Sequence, residues 1–198
     1  MSYPYPSITV FCGSADGLAP MYYKAAYETG QLIAQNGIRL VYGAGRTGMM
    51  GALAEGALAA GGEVIGVVPN GLESPQLIYT SGLSQLEVVA DIQVRKALMN
   101  ELGDAFIALP GGYGTLDEMF EVLTWSQIGR HRKPCAFLNT GGYFDDLFAW
   151  IARAYQDKFI YEEHLELYVS DTDPALLLEK LAGFQFPANI ERWLVREE

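Results

Sequence analysis

Residues 105–118, Ala105-Phe106-Ile107-Ala108-Leu109-Pro110-Gly111-Gly112-Tyr113-Gly114-Thr115-Leu116-Asp117-Glu118, decide the fold. The unbroken apolar run at 105–109 reads as a strand buried on both faces. Pro110-Gly111-Gly112 punctuates it. The next residues, from Thr115 to about Ile128, carry a helical pattern. A buried strand that passes through a glycine turn into a helix is half of a parallel crossover unit.

The same alternation extends in both directions. Residues 8–12 form a short β-rich run that ends at Gly13-Ser14. A helix is expected from Pro20 to about Asn36, with Gly37 as its stop. A strand at 38–42 leads through a glycine turn at 43–48 into an Ala-rich helix ending at Gly61-Gly62. A strand at 64–68 is closed by Pro69, and residues 70–86 read as irregular. Residues 91–102 read as a helix capped by Asp91. A strand at 134–138 and a helix from Tyr143 to about Phe159 follow. The pattern predicts one Rossmann-like, doubly wound α/β domain over residues 1–198, with a mostly parallel sheet and helices on both faces. In such folds ligands bind where strand carboxyl ends lead into helices. Two of those loops are rich in glycine.

Composition narrows the functions available. The chain has 198 residues, half of them hydrophobic and 19% charged, which suits a soluble globular protein. It shows no apolar run of membrane-spanning length and no signal-peptide pattern, so a cytoplasmic protein is expected. The net charge of −11 argues against a general nucleic-acid partner, because phosphate backbones need a basic surface. A small anion remains open, since it needs only local N–H groups and a few cations. Cys12 and Cys135 form no disulfide framework or metal pattern, and His131 and His164 lack metal-binding spacing, so no metal is expected.

The first loop, Gly43-Ala44-Gly45-Arg46-Thr47-Gly48, matches GxGxxG between a strand and a helix. A dinucleotide site also calls for a carboxylate at the end of the following strand, which here reads Val67-Val68-Pro69-Asn70. Two readings stay open for Gly43 and Gly45: a bare phosphate site, or a tight turn that needs glycine.

The second loop is more distinctive. Gly111, Gly112 and Gly114 let backbone approach a ligand, and the helix start favours an anion. Without GK[ST] a polyphosphate loop is unsupported, so a monophosphate fits better. Asp117, Glu118 and Glu121 lie just inside the helix, with Glu118 and Glu121 on one face. A carboxylate beside a bound sugar could stabilise an oxocarbenium-like transition state or orient a water. The competing reading is a capping box, with Thr115 as the cap and Glu118 reaching back to it.

Taken together, Arg95-Lys96, the run Pro110 to Glu118, Glu121, Thr124-Trp125 and Lys133-Pro134 resemble the LOG family. Residues 10–14, 41–45 and 48–51 share in the likeness, which covers roughly residues 8–170. These are cytokinin riboside 5′-monophosphate phosphoribohydrolases, many once labelled lysine decarboxylases. The resemblance implies a Rossmann-like homodimer without cofactor or metal. It implies hydrolysis of N6-substituted AMP, and of AMP in several bacterial relatives, to free base and ribose 5-phosphate. By the same resemblance Arg95 and Glu118 are the catalytic candidates. Gly43, Gly45, Lys96, Gly111, Gly112, Tyr113, Gly114, Thr115, Asp117, Glu121 and Thr124 are the substrate-contact candidates, with the Gly111–Thr115 backbone holding the phosphate.

Two positions depart from the family pattern. Gln93 stands where relatives often have His. Pro75-Gln76-Leu77 replaces Pro-x-Glu-Leu in a segment expected to border the base or ribose. The alternative function on this fold is a non-catalytic nucleotide or molybdenum-cofactor carrier. A decarboxylase would need a lysine set to form a Schiff base with pyridoxal phosphate, and none has a recognisable setting. Residues 130–133, Arg-His-Arg-Lys, read as a solvated turn or, second, as a lip of the phosphate site. Tyr143, Phe144, Phe148 and Trp150 read as core or dimer surface. The segment 184–198 lies outside the resemblance.

Overall fold

A computed structural model describes residues 3–72 and 74–190. Residue 73 and the end of the C-terminal segment, 191–198, lie outside the described residues. The strands are β1 (Ser7–Phe11), β2 (Arg39–Tyr42), β3 (Val64–Pro69), β4 (Gln85–Val89), β5 (Ala105–Ala108), β6 (Cys135–Leu138) and β7 (Tyr168–Asp171). The helices are α1 (Pro20–Gln35), α2 (Gly48–Ala59), α3 (Ile92–Leu102), α4 (Tyr113–Gln127), α5 (Asp145–Gln156) and α6 (Pro174–Ala182). One seven-stranded sheet runs β4-β3-β2-β1-β5-β6-β7, and every pairing in it is parallel.

β1 and β5 are central and fully buried, as their continuous apolar sequences require. Alternate residues serve opposite faces. Ile8 and Val10 of β1 join a core with α1, α2 and α6, while Phe11 joins a second core with α3, α4 and α5. Helices α1 and α2 meet at backbone distance, because a Cβ on Gly30 would lie 2.0 Å from the Leu53 carbonyl oxygen. A Cβ on Gly56 would likewise lie 2.0 Å from the Tyr27 carbonyl oxygen.

The doubly wound reading holds, and the sheet is fully parallel among the described residues. Three elements are additions. β4 starts inside the stretch expected to be irregular, and β7 and α6 follow the last expected helix. β4 and β7 are the two sheet edges, half-exposed and lacking an apolar run, so neither carries a buried-strand signature. Asp91 caps α3 as expected, its carboxylate accepting from the Gln93 and Val94 N–H groups at 2.8 and 2.9 Å. The strand order reverses between β1 and β5. That opens a crevice at their carboxyl ends, where Cys12-Gly13 and Pro110-Gly111 lie side by side.

Candidate active site

The Gly13 N–H donates to the Pro110 carbonyl at 3.0 Å, joining the loops that leave β1 and β5. A Cβ on Gly111 would lie 2.8 Å from the Gly13 nitrogen and 2.1 Å from Thr115 Oγ1, so only glycine fits. Beyond this seam is a cleft of about 470 Å³, within the range of small-ligand sites. Cys12, Ser14, Arg95, Gly111, Gly112, Gly114, Thr115 and Glu118 line its polar side. Leu18, Tyr22, Met49 and Met50 form an apolar wall, and Tyr143 stands at the rim.

Helix α4 begins at Tyr113, with Gly112 as an N-cap that has no side chain to offer its amides. The first-turn N–H groups lack intrahelical acceptors and remain available to a ligand. The capping-box reading is therefore corrected. Thr115 is the third helical residue rather than the cap, and Glu118 does not fold back. Two physical causes act together. The glycines let the helix start earlier, and Arg95 claims the Glu118 carboxylate.

Arg95 and Glu118 are both buried, 7% exposed each. Arg95 Nη1 donates to Glu118 Oε1 at 2.5 Å, and Arg95 Nε donates to the Val67 carbonyl at 2.9 Å. The guanidinium is thereby fixed at two points, between the end of β3 and the first turns of α4. Burial pushes the Glu118 carboxyl above its ordinary value, and the Arg95 charge pulls it partly back. Burial pushes the Cys12 thiol far up, so Cys12 is a neutral wall rather than a nucleophile.

Lys96, one residue on, points about 100° away by helix geometry. Its Nζ bridges Asp117 Oδ2 at 3.0 Å and Glu121 Oε2 at 2.6 Å, beside Asn100, which donates to Glu121 at 3.3 Å. The hydrogen bond to Glu121 is the largest cause of a raised Lys96 pKa. Lys96, Asp117 and Glu121 thus form a strap between α3 and α4 behind the catalytic candidates, outside the cleft lining. Thr124 is farther off still. It is exposed, donates to the Phe120 carbonyl, and sits nine residues beyond Thr115, roughly 13 Å along the helix. The Tyr113 side chain is 96% exposed, so its backbone rather than its ring is the part placed for binding.

Around the first glycine loop, three amides are spent within the protein. The Arg46 N–H donates to the Leu77 carbonyl, that of Gly48 to Asp16 Oδ1, and that of Met50 to the Gly13 carbonyl. Gly48 adopts φ +58°, a left-handed turn conformation. Gly43 and Gly45 stand one layer behind the cleft. A Cβ on Gly43 would lie 2.0 Å from the Arg95 guanidinium, and one on Gly45 would lie 2.6 Å from Met50 Sδ. At Gly43 and Gly45 the missing side chains leave room for Arg95 and Met50. The segment around Pro75-Gln76-Leu77 covers that loop, with the Pro75 carbonyl accepting from Arg46 Nη1 at 2.8 Å. Gln76 and Gln93 are exposed and outside the cleft lining.

The basic turn at 130–133 is neither solvated throughout nor a phosphate lip. His131 bonds the Val122 carbonyl, and Lys133 Nζ donates to the Asn100 carbonyl at 2.8 Å, at the opposite end of β6 from the cleft. Of the aromatic group, Phe144 is buried, but Tyr143 faces the cleft. Ser14, Met49 and Met50, which lay within the resemblance without an assigned role, and Leu18 and Tyr22, which lay outside its quoted pieces, also line the site. They are brought in by the loop after β1 and the starts of α1 and α2, and the glycines around them hinted at crowding.

Comparison with known proteins agrees with this geometry. A family model described as "Possible lysine decarboxylase" matches residues 50–181. The cytokinin riboside 5′-monophosphate phosphoribohydrolase of Rhodococcoides fascians is 50% identical over 154 residues, 78% of each chain. The protein of that activity termed LOG7 in Arabidopsis thaliana is 40% identical over 91% of this chain and 83% of its own. Among solved structures, a molybdenum cofactor binding protein from Rippkaea orientalis superposes with a TM-score of 0.67 at 25% identity, covering 90% of this chain and 96% of that one. The decarboxylase wording does not fit the site. Among the described residues no lysine lines the cleft, and Lys96 and Lys133 are engaged elsewhere.

Proposed function

The chain belongs to the LOG family of cytokinin riboside 5′-monophosphate phosphoribohydrolases, and from that premise we propose that it hydrolyses the N-glycosidic bond of N6-substituted AMP, and of AMP, as a step of cytokinin biosynthesis. The observation that carries this reading is the buried Arg95–Glu118 pair on the wall of a cleft whose floor is a helix start rich in free amides.

The 5′-phosphate rests on the N–H groups of residues 111–115, where the α4 dipole favours it. The ribose then lies against Glu118. A water attacks C1′ as the bond from C1′ to the base nitrogen breaks, and the bonding pair leaves with the base. Glu118 takes the proton of the water, and its negative charge stabilises the oxocarbenium-like transition state. The proton returns to the base, giving free base and ribose 5-phosphate. Arg95 holds Glu118 in place and keeps it from drifting fully to the neutral acid. The apolar wall of Leu18, Tyr22, Met49 and Met50 offers a dry surface to the uncharged part of the nucleotide.

A cofactor carrier has no need of a buried carboxylate facing the sugar, so the structural kinship with such proteins speaks for shared architecture. The reading includes one cytoplasmic domain over residues 1–198 that works as a homodimer. Among the described residues no helix is long and apolar enough to cross a membrane. Ile92, Val94 and Trp125 expose apolar surface on α3 and α4, which supports self-association. Light scattering should report about twice the 21.7 kDa chain mass. The direct test is incubation with AMP and with N6-isopentenyl-AMP, with free base measured for each. Release from either supports the reading. Tight binding with no release from both would replace it with a carrier.

A further inference from the structure

We propose that Tyr143 is a positioning residue for phosphate recognition: its hydroxyl locks the Gly111–Gly112 peptide in the orientation that presents an N–H, not a carbonyl, to the 5′-phosphate. The proposal rests on the phosphate position given above. Tyr143 Oη donates to the Gly111 carbonyl at 2.6 Å, across 32 positions of sequence. A peptide is planar, with its C=O and N–H directed oppositely. Holding the Gly111 oxygen toward the Tyr143 ring sends the Gly112 N–H the other way, to join the amides of the α4 first turn.

This peptide needs a lock because both of its residues are glycine, which tolerates either orientation at little cost. A Cβ built on Gly112 would meet nothing within 4 Å, so no side-chain packing holds that end of the peptide. A flipped peptide would present a carbonyl dipole to a phosphate, turning an attraction into a repulsion. The lock must itself be rigid, and the loop after β6 is built for that. Gly141 and Gly142 take φ of +63° and +76°, and the Tyr143 N–H bonds the Thr140 carbonyl at 3.3 Å. The Asn139 side chain accepts from the Phe144 N–H and donates to Asp145, each at 2.7 Å. The Tyr143 ring meets Tyr22 and Phe144 edge-on at 6.0 and 5.1 Å. With its proton committed to Gly111, the hydroxyl has no second hydrogen to give a phosphate, so it acts through the peptide.

The test is Tyr143→Phe, which removes one oxygen and keeps the ring packing. Equilibrium binding of ribose 5-phosphate, which is not turned over, is compared with binding of adenosine, which carries no phosphate. Ribose 5-phosphate should bind about tenfold more weakly to the variant, the scale of one well-placed hydrogen bond, with adenosine affinity and melting temperature unchanged. In turnover of AMP, KM should rise by a similar factor while kcat moves less than twofold or so. Equal weakening of both ligands, or no change in either, would overturn the lock. Failure of the wild-type protein to bind ribose 5-phosphate at all would overturn the phosphate position and this proposal with it. Wild-type binding without release of base would sink only the hydrolase reading, leaving Tyr143 to be judged by the binding ratio.

Discussion

Glu118 stands between two opposing influences. Burial favours its neutral form and Arg95 favours its charged form, and burial wins, so its pKa is raised. A carboxyl whose folded-state pKa lies above its unfolded value contributes stability that is present below the unfolded pKa and lost as pH rises through the folded one. Ionised Glu118 is therefore no asset to the fold at neutral pH. Glu118→Gln should leave stability at pH 7 within about 1 kcal/mol of wild type, because the desolvation removed offsets the ion pair lost. Thermal melts of the two proteins check this; a loss of several kcal/mol would mean that the pair is structural first. The same raised pKa sets the acid limb of activity. Since the charged carboxylate is the working form, kcat/KM should begin to fall above the ordinary glutamate value of about 4.3 as pH is lowered. Arg95→Ala should move that limb to still higher pH by removing the opposing charge. A limb at or below the ordinary value would contradict the burial argument. From sequence, Glu118 had two readings, cap or catalyst, because spacing alone cannot show which group will claim a carboxylate. Arg95, from 23 residues away, takes the carboxylate and so removes the cap reading.

At the scale of elements, two strand–glycine–helix units look alike in sequence and differ in what their amides do. The loop into α2 is closed by Asp16, Gly13 and Leu77, whereas the loop into α4 keeps its first-turn amides free. No local pattern separates them, because the closing partners come from other loops. Two substitutions in the second loop separate packing from binding. Gly112→Ala meets no protein atom within 4 Å, so it should leave stability nearly unchanged while weakening ribose 5-phosphate binding. Gly111→Ala drives its methyl into Thr115 and Gly13 and should cost about 1–3 kcal/mol of stability as well. Equal stability losses in the two variants would show that the loop is not poised as described. The edge strands β4 and β7 escaped a reading based on buried apolar runs for a related reason. Their pairing is set by the sheet beside them rather than by their own residues.

Over the whole molecule, the doubly wound topology follows from alternating elements, and it places the crevice between β1 and β5 with little freedom. The strand, three glycines and helix at 105–118 were legible as a ligand-binding loop; that Gly13-Ser14 after β1 would meet them was not, because the strand order sets it. Glu118 was legible as a carboxylate able to act on a bound sugar, and Arg95 through family resemblance; Met49 and Met50 lay within the resemblance without a role, Tyr143 read as core or dimer surface, and Leu18 and Tyr22 gave no sign of the site. Wall residues come from the β1–α1 loop and the starts of α1 and α2, which only tertiary packing brings together. The α1–α2 contact shows how closely that packing is set. Gly56→Ala would press a methyl onto the Tyr27 carbonyl and should destabilise the protein by about 1–3 kcal/mol in a denaturant titration. Because Gly56 does not line the cleft, kcat at a temperature where the variant stays folded should match wild type; lost stability together with lost kcat would point to coupling between this helix pair and the site.

The most direct test of the account compares wild-type protein and Glu118→Gln on the same nucleoside 5′-monophosphate, measuring free base and ribose 5-phosphate together. Wild type should release the two in equal amounts. The folded variant should bind the nucleotide yet release both about 10²–10⁴-fold more slowly. Retained release by the variant, or products other than base and ribose 5-phosphate from wild type, would contradict the claim that Glu118 in this cleft cleaves the glycosidic bond.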